Sequence, residues 1–358
     1  MTGRIVRGTQ RLLVEGDCRA KWASGGGHST LRLLMGGLFY LLCFISMARG
    51  GTESGLIEAV SVSPDGKLLA VEFARGETTF IYSMDVNSGN ATRLTDATKG
   101  VESSPAFSPD GRHIAFTYSI GNGAHSQIMI ANTDGSDLHS LPISQGDDFW
   151  PVFSPDNKTI IFARSGYYGS YSPITQPHQH AWSFHLANVD GTNVRQLTHE
   201  NFYMASLPSI SPDGKSMLLV TEKLDSPPQI AIYALENAEK PVQSFRPHVP
   251  GQPPSPIFDC PNYMPDGKSI LFIAASDSGV LVSRFNYDVY RLDLATGALE
   301  RLTKGKRITG SLKVFPDGKT AVFIGWYENW RGKPVRSELY LLDLQTHKLT
   351  PLKVNGLN

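Results

Sequence analysis

Residues 104–116 read Ser-Pro-Ala-Phe-Ser-Pro-Asp-Gly-Arg-His-Ile-Ala-Phe, and the fold can be inferred from this segment. Its centre, Ser108 to Gly111, carries the residues of a tight turn. Proline pre-sets φ at the second position, serine or aspartate can hydrogen-bond the local backbone, and glycine takes the left-handed conformation that closes a hairpin. The apolar run Ile114 to Phe116 then predicts a strand that is covered on both faces.

The same turn returns five more times along the chain. Near copies stand at Ser63–Gly66, Ser154–Asn157, Ser211–Gly214, Met264–Gly267 and Phe315–Gly318, with their prolines 45, 46, 57, 53 and 51 residues apart. Asparagine replaces glycine in the third copy, and it is the next most tolerant residue at positive φ. A repeat of this length with all-β character indicates a β-propeller.

Each copy of the turn is followed by the second strand of a blade, which is apolar, and then by a third and a fourth strand. The clearest marks of the fourth strand are Arg93-Leu94-Thr95, Arg195-Gln196-Leu197-Thr198, Arg301-Leu302-Thr303 and Lys348-Leu349-Thr350. The pattern predicts a six-bladed β-propeller of four-stranded antiparallel blades over residues 56–354, closed so that strand edges are protected. Because no strand is visibly exchanged between the first and last blades, we expect ordinary blade packing to close the ring.

The repeated Pro-Asp-Gly phrases resemble the propeller domain of the TolB family, which also occurs as the non-catalytic propeller of prolyl oligopeptidases. The resemblance covers residues 56–354 and implies a propeller fold. TolB carries a separate α/β domain before its propeller, whereas here about eight residues separate Ala48 from the first blade. The chain also lacks a Gly-x-Ser-x-Gly elbow before a helix, so a hydrolase domain is not expected.

The N-terminal 48 residues have the order of an export signal. Residues 1–32 carry six basic residues against two acidic ones, and a 16-residue apolar run follows from Leu33 to Ala48. The run ends in Ser46-Met47-Ala48, whose small residues suit signal peptidase. We predict a basic region plus signal peptide or signal anchor at 1–48, a linker at 49–55 and a tail at 355–358. Cleaved or not, the segment predicts a periplasmic or extracellular propeller that contacts the membrane only through residues 33–48.

Composition excludes two further classes of protein. Charges balance at 33 basic and 33 acidic residues without a long basic run, so nucleic acid is not expected as a partner. Of the three cysteines, only Cys260 lies in the predicted propeller, which excludes a disulfide framework. A buried structural thiol is expected at Cys260. The protein is predicted to be a monomer.

Long insertions cluster where the second strand of a blade meets the third, at Ser165–Ala181, Ser276–Asn286 and Tyr327–Arg336. Because loops on a rigid scaffold carry recognition, they predict a binding surface rich in aromatic and cationic anchors. The candidate binding residues are Tyr167, Tyr168, Tyr171, His178, His180, Trp326, Trp330 and Arg331. Alternatively, these are solvated loops whose aromatic rings cover blade edges. His178 and His180 also have the spacing of metal ligands, although no third ligand is identifiable.

Acidic residues near the starts of the inner strands form a second candidate site. Glu58, Glu102, Asp148 and Asp259 are placed to ring the mouth of the central channel. They could hold a divalent cation together with water, or they could simply be solvated residues at a wet pore.

Three functional hypotheses follow. The first is a non-enzymatic binding or scaffold protein of the cell envelope, without a resident cofactor, that presents its loops to a protein or carbohydrate partner. The alternative is a metal-assisted lyase or hydrolase that acts at the channel mouth. The third is a sensor domain for a membrane partner, which requires that the apolar segment stays attached.

Overall fold

The protein is all-β throughout the residues that the structure describes. The computed structural model covers residues 55–96, 100–120, 125–142, 146–169, 178–223, 226–251, 257–276, 286–305, 308–328 and 334–357. These residues contain 25 strands and no helix, which confirms the predicted all-β propeller class. The predicted signal or anchor segment at 1–48 lies outside them.

The strands follow one another in six antiparallel units. Unit 1 contains β1 (Leu56–Val62), β2 (Leu68–Arg75), β3 (Thr78–Asp85) and β4 (Ala91–Arg93). Unit 2 contains β5 (Val101–Phe107), β6 (His113–Ile120), β7 (His125–Asn132) and β8 (His139–Ser140). Unit 3 contains β9 (Asp147–Phe153), β10 (Thr159–Gly169), β11 (His178–Asn188) and β12 (Arg195–Gln196).

The second half of the chain repeats this arrangement. Unit 4 contains β13 (Met204–Ala205), β14 (Ser209–Ile210), β15 (Ser216–Lys223), β16 (Ser226–Ala234) and β17 (Asn237–Phe245). Unit 5 contains β18 (Phe258–Tyr263), β19 (Ser269–Ser276), β20 (Asn286–Asp293) and β21 (Leu299–Arg301). Unit 6 contains β22 (Ile308–Val314), β23 (Thr320–Glu328), β24 (Pro334–Asp343) and β25 (Leu349–Leu352).

Hydrogen bonding groups these strands into five sheets, and the prediction of six separate four-stranded sheets is wrong in that form. Units 1 and 2 share one eight-stranded sheet because β3 and β5 meet in a single parallel pair, Thr79 with Val101. The sheet of unit 4 has five strands because its inner strand is split into β13 and β14, which both pair with β15. The other three sheets have four strands each.

The repeated turn is held by a serine–aspartate pair. In unit 1, Ser63 Oγ donates to Asp65 Oδ1 at 2.7 Å and accepts from the Leu68 N–H at 2.9 Å. The turns that begin at Ser108, Ser154 and Ser211 have the same two bonds. The bond from Ser63 keeps the pKa of Asp65 below its usual value. The other two copies lack the serine, but Asp266 and Asp317 accept the backbone N–H groups of Lys268 and Lys319. The fourth residue has positive φ in all six copies, so the turn chemistry inferred from the sequence is confirmed.

The Arg-Leu-Thr motif ties the fourth strand to the third. The Oγ1 atoms of Thr95, Thr198 and Thr303 accept backbone N–H groups of the third strand at 3.1, 2.9 and 3.0 Å. A long polar side chain then donates to the carbonyl of each threonine. The donors are Arg93, Gln196 and Arg301. These bonds extend each sheet outward by one short strand.

Among the described residues, the hydrophobic core lies between the units and forms six clusters, each shared by two neighbours. Five clusters join consecutive units along the chain. The sixth packs Val71 and Tyr82 of unit 1 against Val322 and Leu339 of unit 6. Since every unit buries both faces against neighbours, the array closes on itself as predicted for a propeller.

The closure also uses specific bonds between unit 6 and unit 1. Trp326 Nε1 donates to the Ile57 carbonyl at 3.0 Å, and the Ile57 N–H donates to Ser337 Oγ at 2.7 Å. In addition, Asn355 pairs in parallel with unit 1, accepting from the Ala91 N–H at 2.9 Å and donating to the Gly89 carbonyl at 2.8 Å. The expectation that ordinary packing alone closes the ring is therefore incomplete, because the segment after β25 acts as a latch.

Gly89 offers a test of this latch. Gly89 has φ +72°, and a Cβ there would overlap the Lys353 carbonyl, whereas Gly76 has φ +65° with nothing within 4 Å. We expect Gly76→Ala to cost about 1–2 kcal/mol from its left-handed backbone. Gly89→Ala is expected to cost a further ~1–3 kcal/mol because it displaces the latch. Urea unfolding of the two variants checks this, and equal losses would contradict the latch.

The array of units has two faces, which differ in the connections that they carry. The turn face carries the six repeated turns, of which five read Pro-Asp-Gly and the one that begins at Ser154 reads Pro-Asp-Asn. The loop face is the opposite one, where the second strand of each unit meets the third. It is marked by the strand ends Arg75–Thr78, Ile120–His125, Gly169–His178, Lys223–Ser226, Ser276–Asn286 and Glu328–Pro334.

Candidate interaction face

The longest hairpin on the loop face belongs to unit 3. β10 and β11 have 11 residues each, and their register continues from Thr159 opposite Asn188 to Gly169 opposite His178. The predicted loop at 165–181 is therefore wrong at both ends, because residues 165–169 and 178–181 continue the two strands. Residues 170–177, which include Tyr171, lie outside the described part of the chain. Tyr167 and Tyr168 lie in β10, and the Tyr168 side chain is half-buried.

The base of this hairpin is fixed by aromatic packing. Trp182 is 1% exposed and stacks on Trp150 with ring centroids 4.4 Å apart. Its backbone N–H and carbonyl both pair with Phe202, which leads into unit 4. Ser165 Oγ also donates to the His180 carbonyl across the hairpin at 2.9 Å. The hairpin is thus anchored to two units.

His180 belongs to the interior of the hairpin. Its side chain is 1% exposed, its Nε2 lies 3.2 Å from the Gly169 carbonyl, and its ring stacks on Tyr203. The neighbouring Ala181 has φ +56°, so the regular alternation of the strand is interrupted directly after His180. The structure therefore gives this histidine a packing contact, and the metal site predicted with His178, whose side chain lies outside the description, stays a prediction.

The other predicted binding residues fall in unit 6. Trp326 lies within β23 and donates to Ile57, so its indole joins the ring closure described above. The predicted loop at 327–336 is shorter than expected, because β23 continues to Glu328 and β24 begins at Pro334. Trp330 and Arg331 lie outside the described residues.

A buried ion pair lies beneath the hairpin, in the seam between units 2 and 3. Arg164 donates to both carboxylate oxygens of Asp148, at 2.7 and 2.9 Å, and Asp148 is 1% exposed. Burial raises the pKa of Asp148, although Arg164 acts in the opposite direction. Asp147 beside it accepts from the Ser126 N–H of unit 2 at 3.1 Å. These contacts make the hairpin base rigid.

Glu102 occupies the corresponding place in the seam between units 1 and 2. Its carboxylate accepts from Thr95 Oγ1, and its backbone carbonyl accepts from Thr79 Oγ1 at 2.6 Å. The side chain is 2% exposed, and burial raises the pKa of Glu102 to about 7. The carboxyl is therefore half-protonated near neutral pH.

The four predicted channel acids do not form one site in the described chain. Glu102 and Asp148 are held by Thr95 and Arg164, and Asp259 accepts from the Cys260 N–H at 2.7 Å, while Glu58 is half-buried on β1. No group of three or more His, Cys, Asp or Glu side chains among the described residues is placed to hold a metal ion. The divalent cation therefore stays a prediction.

One serine–histidine contact lies near the ion pair. Ser183 Oγ and His185 Nε2 are 3.1 Å apart, and each residue is 8% exposed. Burial, reinforced by Arg164 and His199, lowers the pKa of His185 to about 4, so its imidazole is neutral at physiological pH. The ring stacks on Phe162, with centroids 5.7 Å apart. This geometry is that of a packed pair inside the unit 2–unit 3 seam.

Comparison with known proteins agrees with this architecture. Residues 48–172 match the family model of the TolB beta propeller domain. Over these residues the chain resembles that domain, and its β-propeller is TolB-like in this sense. A curated relative, the Tol-Pal system protein TolB of Francisella tularensis subsp. mediasiatica, is 29% identical over 183 residues. That match spans 51% of this chain and 39% of the relative, so the TolB-like propeller corresponds to less than half of the relative's length.

Solved structures share the fold of the TolB-like propeller. TolB from Acinetobacter baumannii superposes with a TM-score of 0.56 at 18% identity, over 90% of this chain and 69% of that one. Oligogalacturonate lyase from Vibrio parahaemolyticus superposes with a TM-score of 0.52 at 13% identity, over 86% and 81% of the two chains. At these identities the likeness concerns the fold alone. Within the described part of the TolB-like propeller, no helix has the length and apolar character that crossing a membrane requires.

Sequence reasoning missed three of the four residues that organise this face and predicted the fourth, Asp148, as a channel acid. The Trp150–Trp182 stack and the Asp148–Arg164 pair join segments from different parts of unit 3, and neither belongs to the repeated motif. A signal was present, because Trp182 follows the two histidines in an alternating segment, His178 to Phe184, which is typical of a strand.

Proposed function

We propose that this TolB-like propeller is a non-enzymatic binding protein of the cell envelope, and that its six units form six blades of a scaffold. The loop face presents the β10–β11 hairpin to a protein partner. The similarity to Tol-Pal system TolB proteins supports an envelope role, and the basic and apolar order of residues 1–48 supports export to the periplasm.

The observation that carries this proposal is the anchored β10–β11 hairpin. It is longer than the β6–β7 hairpin of unit 2, whose strands have eight residues each, and its base is fixed to units 3 and 4 through Trp182. A rigid projecting element loses little conformational freedom on binding, which favours recognition of a folded partner. Tyr168 supplies a half-buried aromatic side chain of the kind that anchors interfaces.

Shortening this hairpin tests the proposal. Tyr167 stands opposite His180, so residues 168–179 can be replaced by Asn-Gly, which closes a two-residue hairpin turn. We expect recovery of the partner from envelope extracts, quantified by mass spectrometry, to fall at least about tenfold, because several anchor contacts of roughly 1 kcal/mol or more are lost together.

The matched control shortens the unit 2 hairpin in the same way. Ser119 stands opposite Ser126, so residues 120–125 can also be replaced by Asn-Gly. Recovery with this variant is expected to stay within about twofold of the wild-type value, which is a free-energy change of ~0.4 kcal/mol. Equal recovery with both shortened proteins would contradict the proposed role of the β10–β11 hairpin.

A further inference from the structure

A groove of about 940 Å³ opens on the turn face between units 3 and 4. Its apolar surface comes from Pro155 and Pro212 of the two turns and from Leu186 and Leu235. This volume lies in the range of sites that enclose small ligands or short peptide segments. The groove is on the opposite side of the array from the β10–β11 hairpin, so it is independent of the loop face.

The acidic rim of the groove is built on rigid turns. Asp156 and Asp213 both line it, and each uses Oδ1 for its turn bonds, from Ser154 Oγ and from Ser211 Oγ at 2.6 Å. The hydrogen bonds from these serines lower the pKa of both aspartates, so both are ionised at neutral pH. The turn bonds of both aspartates end on Oδ1. Glu236, which is exposed, adds a third carboxylate.

Two cationic side chains also line the groove, and they differ in their contacts with the protein. Arg195 donates from Nη2 to the Leu235 carbonyl at 3.2 Å, which ties the guanidinium to the groove wall. Lys215 is exposed at the turn of unit 4. With three carboxylates against two cations, the groove carries a formal charge of −1 and a mixed apolar and charged surface.

We propose that this groove binds an extended protein segment that carries lysine or arginine next to apolar residues. The carboxylates supply charge-assisted hydrogen bonds to the basic side chain, and the proline and leucine surface buries its apolar neighbours. The described residues that line the groove include no Phe, Tyr or Trp on which a sugar ring could stack, and the formal charge of −1 disfavours phosphate. A peptide therefore fits the groove better than a carbohydrate or a nucleic acid.

The test is a selection from a random dodecapeptide phage library against the immobilised full-length protein. It is repeated on a groove variant with Asp156→Asn, Asp213→Asn and Glu236→Gln. A matched control carries Asp65→Asn, Asp110→Asn and Glu239→Gln. The control removes the same number of charges and alters two equivalent serine–aspartate turns, but its residues do not line the groove.

We expect peptides from the wild-type selection to be enriched in Lys or Arg flanked by apolar residues. The most enriched peptide, synthesised with a fluorophore, should bind at least tenfold more weakly to the groove variant by anisotropy and within twofold to the control. A selection without enrichment of basic residues would overturn the proposal. Equal weakening by both variants would also overturn it, because net charge alone would then explain binding.

Discussion

Glu102→Gln is expected to make the protein about 3 kcal/mol more stable than the wild type at pH 8 and to leave its stability unchanged near pH 4.5. Burial raises the pKa of Glu102 from 4.5 to about 7, and such a rise corresponds to about 3 kcal/mol between the two protonation states. Glutamine retains an oxygen that can accept from Thr95 Oγ1. It removes the charge that is costly to bury.

The direction of this effect follows from proton binding. Between about pH 4.5 and pH 7, the folded protein still holds a proton on Glu102 that the unfolded chain has already released. The contribution of this proton to the free energy of unfolding is fully present below pH 4.5 and is lost as the pH rises through 7. Urea unfolding of both proteins at pH 5 and pH 8 measures the difference, with Glu77→Gln at an exposed position as control. A difference that does not change with pH would refute a buried, titrating Glu102.

Arg164→Met is expected to destabilise the protein by about 3–5 kcal/mol, the usual cost of leaving one member of a buried pair uncompensated. Asp148 is 1% exposed, and Arg164 donates to both of its carboxylate oxygens. Removing the guanidinium leaves this carboxylate buried in the seam between units 2 and 3. The loss should be smaller at low pH, where protonation neutralises Asp148.

Two further variants separate this effect from general damage. Combining Arg164→Met with Asp148→Leu removes both charges, and it should recover most of the lost stability because apolar pairs replace buried ion pairs well. Lys223→Met breaks the more exposed pair with Glu200, at 2.8 Å, and should cost less than about 1 kcal/mol. Chemical denaturation at pH 7 compares all three. A loss below about 1 kcal/mol for Arg164→Met would contradict a structural role for the pair.

The fold could be predicted because its signal is local. The bond from Ser63 to Asp65 lies within a single turn, and the same short phrase recurs at each unit. The pairing of Thr79 with Val101, which merges two predicted sheets into one, depends on how neighbouring units approach each other. No periodic pattern reports such a contact, so the number of separate sheets was predicted wrongly.

The candidate site was harder to predict because its residues act across units. Trp326 resembles an exposed loop anchor in the sequence, yet its indole bonds to Ile57, 269 residues earlier in the chain. His180 resembles a metal ligand, yet it is buried against Tyr203. Composition identified the correct segment for the β10–β11 hairpin, but only the cross-strand register showed that much of it is strand.

Site-specific photo-crosslinking in intact cells tests the loop-face proposal most directly. A photoreactive phenylalanine at Tyr168 would report partners on the loop face, and the same residue at Ala295, an exposed position on the turn face of unit 5, would serve as the control. We predict one discrete crosslinked protein from the Tyr168 position and none from the Ala295 position. A crosslink only at Ala295, or no crosslink at Tyr168, would contradict a loop face that binds a protein partner.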